Sequence, residues 1–474
     1  MHTTILLVLL AAGPEAASPD GLEARLAELF KQSGLTADDA AKAAAATSRD
    51  VEARAAARDG AQSSLDAARL GYVPRVTAGA GYQRLSPITP PVFGGGDSGR
   101  FVVTTGPEGP VGGRPLFAAP DVSFPVFLDN GQLRAGLVIP VSDYLWRSVQ
   151  QVLAAEHTRD AAGLDEKAAR LKAAADARIA YYQWVRGRGQ RLVAEQAREQ
   201  SERRDQDIHH AFDVGAASKA DLLRFDALVE ASKLLVARAD NAALMAEEAL
   251  ATAMHLEPGA PLEIGEDIFA ELPPLERTAD FEALLQEAQS QRVELAALGE
   301  SVTALESQRR GLWANVFPRL DLTGNLLDAN PNPRYIPGEQ VWHFTWDVGV
   351  GLSWTPSDIP AALAQVGAAD ARVRQTAAQK KALLDALRLE VRQAWLSLRE
   401  SDVALGSTLK ALLAAEESYR VRQELFRNGR ATVVEVIDAE TERTRARLEA
   451  INARIDVRIA RVRLEHATGR DAGK

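Results

Sequence analysis

The chain has 474 residues, a formal net charge of −10, an isoelectric point near 5.4 and no cysteine. The acidic balance argues against nucleic acid or an anionic lipid as the main partner. The lack of cysteine excludes disulfides, thiolate metal sites and a lipid-modified N-terminal cysteine.

The N-terminus carries a short apolar run from Ile5 to Ala12, followed by Gly-Pro and small residues. This pattern predicts a secretory signal peptide at 1–18, although the usual basic residues before the run are missing. Elsewhere the chain does not approach the ~20 apolar residues that a transmembrane helix requires. If this chain enters a membrane, we expect it to do so with β-strands.

Several residue groups recur in the same order in the two halves of the chain. The offset between equivalent residues falls from 244 positions (Pro74 to Pro318) to 214 (Gly215 to Gly429). The fall is explained by roughly thirty extra residues in the first copy, within a segment rich in Gly and Pro. We predict an internal duplication, with repeats at 19–257 and 278–474 and a proline-rich linker or small appended element at 258–277.

Each repeat is predicted to run in the order helix, strand, loop, strand, long helix, turn, helix. Residues on the strands alternate between apolar and polar with a period of two. The predicted strands cover about 74–85 and 131–142 in the first repeat, and about 318–327 and 341–355 in the second. The inserted segment at 86–130 joins two strands and is expected to be an extracellular loop.

Two proline-poor stretches, about Tyr144–Phe212 and Ala361–Phe426, read as very long helices. Each would span about 100 Å as a single helix, a length typical of coiled coils and stacked bundles. In the second of these stretches and in the last predicted helix, apolar residues step by three and four, which favours coiled-coil packing. Shorter helices are predicted near Ala37–Gly71, Ser218–Leu256, Asp280–Asn315 and Thr432–Thr468.

The clearest strand pattern places an aromatic face on the second strand of the second repeat. Trp342, Phe344, Trp346 and Trp354 fall on one face of this strand, and polar residues or glycines fall on the other. Such a face could be the buried side of a soluble sandwich. Because strands of about ten residues also match the thickness of a bilayer, a membrane strand with these residues facing lipid is favoured.

Four strands are too few to close a barrel, and an open sheet edge is not tolerated in lipid. Closure would therefore require several chains. Two chains would supply eight strands, whose interior is normally filled by side chains, whereas three would supply twelve and leave a lumen. The pattern predicts a homotrimer if the lumen is the functional feature.

The strongest local signal is the stretch from Asn428 to Ala439, with the sequence NGRATVVEVIDA. Together with Pro74, Pro318 and the closing Ala467-Thr468-Gly469, it resembles the TolC family of outer membrane efflux proteins. The resemblance extends from about residue 35 to residue 469. It implies a mainly helical fold with a membrane β-barrel, in which a trimer shares a twelve-stranded barrel and an internally duplicated, coiled-coil helical tunnel lies in the periplasm.

The same resemblance implies a function and partners. Members of this family act as ducts for an inner-membrane pump, to which a periplasmic adaptor protein connects them. The expected location is the bacterial outer membrane, with the helices in the periplasm. The alternative is a soluble periplasmic coiled-coil scaffold without channel activity. Neither the exported substrate nor the pump type follows from the sequence.

Carried over residue by residue, the resemblance places an acidic periplasmic entrance at Glu435 and Asp438. These positions share a helix face, so that three chains would place six carboxylates around one pore. The alternative is an ordinary helix N-terminus, where acidic residues are favoured by the helix dipole. In the first repeat the equivalent residues are Asp221 and Arg224, which break the acidic pair.

The turns before these helices share a second pattern. Gly215 and Gly429 suit turns that need positive φ, while Ser218 and Thr432 can cap the helix that follows. The resemblance implies that these tip turns contact the adaptor, whereas capping alone would also explain the residue types.

No enzyme signature has the required context, so we predict a non-enzymatic protein without cofactors. The glycine cluster at 94–99 has no strand before it and no helix after it, and the glycine at 469 is followed by too few residues for a phosphate loop. His209 and His210 are adjacent, and adjacent side chains on a helix diverge, so no metal site is expected from this pair.

Overall fold

A computed structural model describes residues 22–30, 34–89, 92–93, 122–123, 126–215, 217–257, 259, 261–270, 272 and 280–473. The predicted signal peptide at 1–18 and the glycine cluster at 94–99 lie outside the described residues. So do most of the inserted segment at 86–130 and much of the linker at 258–277.

The described residues are mostly helical, and the two long helices predicted from the sequence are confirmed, with 67 and 69 residues. No described helix is both long and apolar enough to cross a membrane. The helices are α1 (Leu22–Leu29), α2 (Ala37–Thr47), α3 (Arg49–Leu70), α4 (Val141–Leu145), α5 (Arg147–Asp213), α6 (Lys219–Met254), α7 (Phe281–Gln291), α8 (Val293–Leu312), α9 (Ile359–Arg427) and α10 (Val433–Thr468).

Four strands form one antiparallel sheet in the order β1-β4-β5-β6, so that β4 of the first repeat pairs with β5 of the second. The four predicted strands are confirmed, with bounds shifted by a few residues. Two residues near each end of the inserted segment form a further short pair, which the sequence did not predict. The strands are β1 (Arg75–Arg84), β2 (Val92–Phe93), β3 (Val122–Ser123), β4 (Asp129–Ile139), β5 (Arg319–Asn330) and β6 (His343–Ser353).

Two helices predicted as continuous are each broken at one residue, and the predictions of single helices over Ala37–Gly71 and Asp280–Asn315 were wrong. Ser48 (ψ 129°) separates α2 from α3, and Arg292 (ψ 115°) separates α7 from α8. Both residues have extended backbone conformations. They lie 244 positions apart, which is the offset of the duplication in this part of the chain, so the break is a feature of the repeated unit.

Chain contacts divide the molecule into two units that do not follow the repeats. The first unit contains 1–61, 158–302 and 375–474, and the second contains 62–157 and 303–374. Each unit draws residues from both halves of the sequence. The duplication therefore produces intertwined copies rather than two separate domains, and the repeat boundaries at 257 and 278 stay a prediction.

The first unit is helical and holds the larger cores. Tyr181 and Trp184 of α5 pack with Leu250 of α6 and Ile455 of α10, and all four are fully or almost fully buried. A second cluster joins α7 to α9 and α10. Alanines fill many buried positions, as the narrow apolar seams predict, because small side chains allow helices to approach closely. The long helices are thus stabilised by their neighbours and not by propensity alone.

The second unit contains the four-stranded sheet. Beside it, Ser142 Oγ accepts a hydrogen bond from the backbone N–H of Leu320 at 3.1 Å, and Trp146 Nε1 donates one to the carbonyl of Arg310 at 2.9 Å. These bonds attach the segment after β4 to the residues around the start of β5. The sheet is therefore anchored at the ends of its central strands.

Candidate functional site

The register of the sheet places most of the apolar residues of its four strands on one face. Directly paired residues of an antiparallel sheet point to the same side. Val76 pairs with Leu137, and Leu326 pairs with Trp346, and the alternate positions follow the same rule. The apolar face comprises Val76, Ala78, Ala80 and Tyr82 of β1, Leu133, Ala135, Leu137 and Ile139 of β4, Leu320, Leu322 and Leu326 of β5, and Phe344, Trp346, Val348, Val350 and Leu352 of β6.

This apolar face is exposed, which inverts the burial of an ordinary soluble sheet. On β6 the apolar side chains are more exposed than the alternating polar ones. Val348 is 74% exposed and Trp346 is 64% exposed. An exposed, contiguous apolar patch of this kind marks a surface that contacts a membrane or another protein. A sandwich core built within one chain is therefore not what this face forms.

The opposite face is polar and internally hydrogen-bonded. Asn325 Nδ2 donates to Asp347 Oδ2 at 2.8 Å across β5 and β6, and Arg334 Nη2 donates to Asp347 Oδ1 at 2.6 Å. Arg334 lies in the connection between the two strands, and its other nitrogen donates to the carbonyl of Trp346. These bonds hold the connection against the polar face of the sheet. The charges of Arg334 and Asp347 require contact with water there, because burying them in lipid would be costly.

The two predicted turns have the same geometry in the first unit. Gly215 ends the turn after α5 with φ +76°, and Gly429 ends the turn after α9 with φ +68°. Ser218 caps α6 by accepting a hydrogen bond from the backbone of the third helical residue, and Thr432 caps α10 in the same way. Each cap is completed by an acidic side chain that reaches back to the capping residue, so both are full capping boxes.

Both carboxylate oxygens of Glu435 are engaged within the chain. Oε2 accepts from the backbone N–H of Thr432 at 2.8 Å, and Oε1 pairs with Nη1 of Arg422 on α9 at 2.6 Å. Hydrogen bonds from Thr432 and the charge of Arg422 lower the pKa of this carboxyl. Its contribution to stability is therefore present above the ordinary carboxyl pKa and is lost as the pH falls through the lowered value.

Asp438, one helical turn further along α10, is exposed to solvent and pairs with no cation among the described residues. In the first repeat, Asp221 completes the cap of Ser218, and its Oδ1 lies 3.9 Å from Arg224. The chain thus holds one acidic pair, in the second repeat only. Sequence reasoning missed Arg422 as a partner of Glu435, because the two residues meet across a turn that joins separate helices.

Comparisons with known proteins agree with this architecture. The family model described as outer membrane efflux protein matches residues 284–470. The solved outer-membrane channel OprN is 18% identical, with a TM-score of 0.72 over 97% of this chain and 98% of that one. VceC from Vibrio cholerae is 16% identical with a TM-score of 0.70, over 91% and 96%. The CmeC channel of Campylobacter jejuni is 15% identical with a TM-score of 0.72, over 97% and 93%. A search of curated proteins found no match.

The fold is that of the outer membrane channels, over nearly the whole length of both chains. The family model of outer membrane efflux proteins matches most of the predicted second repeat, so the resemblance to this family is borne out over residues 284–470. The predicted resemblance and the predicted fold class are therefore confirmed. The first repeat shows the same elements in the same order, as an internal duplication requires.

Proposed function

We propose that three copies of this chain form an outer membrane duct that passively exports substrates delivered from the inner membrane. One observation carries the proposal: the apolar residues of a four-stranded sheet lie together on an exposed face, with a polar face behind them. The main strands of this sheet have 10 to 12 residues, which matches the ~9–11 residues of a tilted membrane strand.

The two edges of the sheet support the trimer. Among the strands that the structure describes, β1 and β6 each pair with a single neighbour. An unpaired edge leaves backbone donors and acceptors without partners, which is costly in lipid. If β6 of one chain pairs with β1 of the next, three chains close a barrel of twelve strands, wide enough for a lumen. The lipid-facing belt would then include Trp342, Phe344, Trp346 and Trp354.

We assign the two capped turns to contacts with a periplasmic adaptor, which in turn connects the duct to an inner-membrane pump. Gly215 with Ser218 and Gly429 with Thr432 form matched turns, so one adaptor surface could bind both. In this arrangement, Glu435 and Asp438 line the periplasmic entrance. These roles follow from the family resemblance, and the repeated geometry of the turns is compatible with them.

A cysteine cross-linking experiment tests the trimer directly, because the chain has no cysteine of its own. In one chain, β1 and β6 are separated by three strand spacings, about 14 Å. A disulfide requires Cα atoms within about 7 Å. A chain with Ala78→Cys and one cysteine scanned along 344, 346, 348, 350 and 352 can therefore cross-link through these strands only to another chain.

We expect oxidised outer membranes to yield covalent dimers and trimers for one register of the scan. A matched control carries Ala135→Cys in the central strand β4 in place of Ala78→Cys, and should remain monomeric. Cross-linking equally efficient at every position would indicate random collision. The absence of any cross-link, with release of the protein by a salt wash, would contradict the barrel and favour a soluble scaffold.

A further inference from the structure

A cluster of metal-binding side chains lies on α5 and α6, away from the roles proposed above. Asp205 and His209 are four positions apart on α5 and therefore share one face of the helix. Asp226 reaches the same place from α6. Ligand atoms of the three residues lie within 4.8 Å of one another.

The distances are close to those of a formed metal site. His209 Nε2 lies 3.6 Å from Asp205 Oδ2 and 3.6 Å from Asp226 Oδ1. Two ligands of a tetrahedral ion with bonds of ~2.0–2.1 Å are about 3.3–3.4 Å apart. Each of the two His–Asp distances would need to shorten by only a few tenths of an ångström, and the two Asp ligand oxygens lie within 4.8 Å of each other. Because His209 is half exposed, water has access to the remaining coordination position.

The electrostatics also favour a cation. Asp205 Oδ1 is shielded from solvent and accepts no hydrogen bond from any residue that the structure describes. The nearby Lys233 forms its own ion pair with Glu230 at 2.7 Å. A divalent ion bound between the two carboxylates would neutralise their charge.

We propose that Asp205, His209 and Asp226 bind a divalent transition ion such as Zn²⁺. An imidazole nitrogen with two carboxylate oxygens suits zinc and its neighbours in the first transition series, whereas Mg²⁺ and Ca²⁺ prefer oxygen ligands alone. The bound ion would fasten α5 to α6 shortly before the Gly215 turn. The site depends on one chain only and stands whether or not the duct proposal holds.

The test is a titration of the purified full-length protein, without an affinity tag, with Zn²⁺ by calorimetry and with Co²⁺ by visible absorption. We expect one strong site per chain and an increase in thermal midpoint on Zn²⁺ addition. His209→Ala and Asp226→Asn should each weaken Zn²⁺ binding by more than the ~10–100-fold that loss of an outer-shell partner costs. Mg²⁺ should neither compete nor stabilise.

The neighbouring exposed histidine provides the matched control. His210→Ala changes the same residue type one position along α5 and should leave Zn²⁺ affinity and the Co²⁺ spectrum unchanged. Melting curves without metal show whether each variant is folded. The proposal is overturned if wild-type protein shows no stoichiometric site. It is also overturned if His209→Ala binds as tightly as wild type, or if His210→Ala removes binding to the same extent.

Discussion

At the scale of single residues, the two turns depend on glycine for conformational reasons alone. An added Cβ at Gly215 or Gly429 would meet no atom within 4 Å, yet both residues have positive φ. The requirement therefore comes from the backbone of the turn itself and not from close packing. This explains why the same residue type occurs in both copies although their surroundings differ.

We expect Gly429→Ala to destabilise the turn by ~1–2 kcal/mol, the usual cost of placing a residue with a Cβ in the left-handed region. Gly406→Ala is the matched control, since Gly406 lies within helix α9 and also has open space around it. That change should instead stabilise by roughly 0.5–1 kcal/mol. Hydrogen exchange of the turn and chemical unfolding measure both, and equal effects would contradict the conformational explanation.

At the scale of elements, the two faces of the sheet should respond differently to the same charge. Val348 on the apolar face pairs directly with Gly324, while Thr323 on the polar face pairs with Gly349. Val348→Lys should cost ~2–4 kcal/mol in a bilayer if it lies near the membrane midplane. Thr323→Lys, one residue away in register but on the other face, should be tolerated. Urea titration of folding into lipid vesicles measures both, and equal losses would mean that the faces are wrongly assigned.

The sequence predicted these elements unequally, and the differences have physical causes. Strand faces and long helices follow from periodicity, which is local. The breaks at Ser48 and Arg292 do not, because neither residue is Gly or Pro. At Arg292 the guanidinium pairs with its near neighbour Glu294 and makes two tertiary contacts, with the carboxylate of Glu390 and the carbonyl of His466. Such contacts override helix propensity and leave no trace in a single sequence.

The candidate sites divide along the same line. The capping roles of Ser218 and Thr432 were predictable, because the cap and its acidic partner are three residues apart. The ion pair between Arg422 and Glu435 was not, since it joins α9 to α10. The cluster around His209 was not predicted, because the adjacent pair of His209 and His210 was the pattern considered. Two metal ligands on one helix face are four positions apart, as Asp205 and His209 are.

At the scale of the whole molecule, duplication gives one chain two copies of each long helix, turn and capped helix, and the two copies can differ in sequence. The long helices have nearly the same length in both copies, and each short helix after the turn has 36 residues. The acidic pair remains in one copy only. A trimer would then have six similar turns around its axis but only three acidic pairs. The turns would be arranged with near six-fold symmetry, whereas the acidic charges would have three-fold symmetry.

The entrance proposal is tested where these pairs would meet. Like charges from three chains would raise the pKa of some carboxyls, but within one chain Thr432 and Arg422 lower the pKa of Glu435. We therefore expect Glu435 to stay ionised at neutral pH, with exposed Asp438 adding charge. The double change Glu435→Ala and Asp438→Ala should weaken cation selectivity and remove block by a trivalent cation. Trimer assembly should persist, because solvated charges contribute little to stability.

Two single variants separate the charge from the cap. Asp438→Asn removes charge without touching the capping box and should weaken the block on its own. Asp221→Asn changes a capping carboxylate in the first repeat, beside Arg224, and should affect the block less. The measurement is single-channel current in planar bilayers with and without the trivalent ion. If the double variant is blocked as readily as the parent, these carboxylates are ordinary helix-terminal charges and the constriction lies elsewhere along the chain.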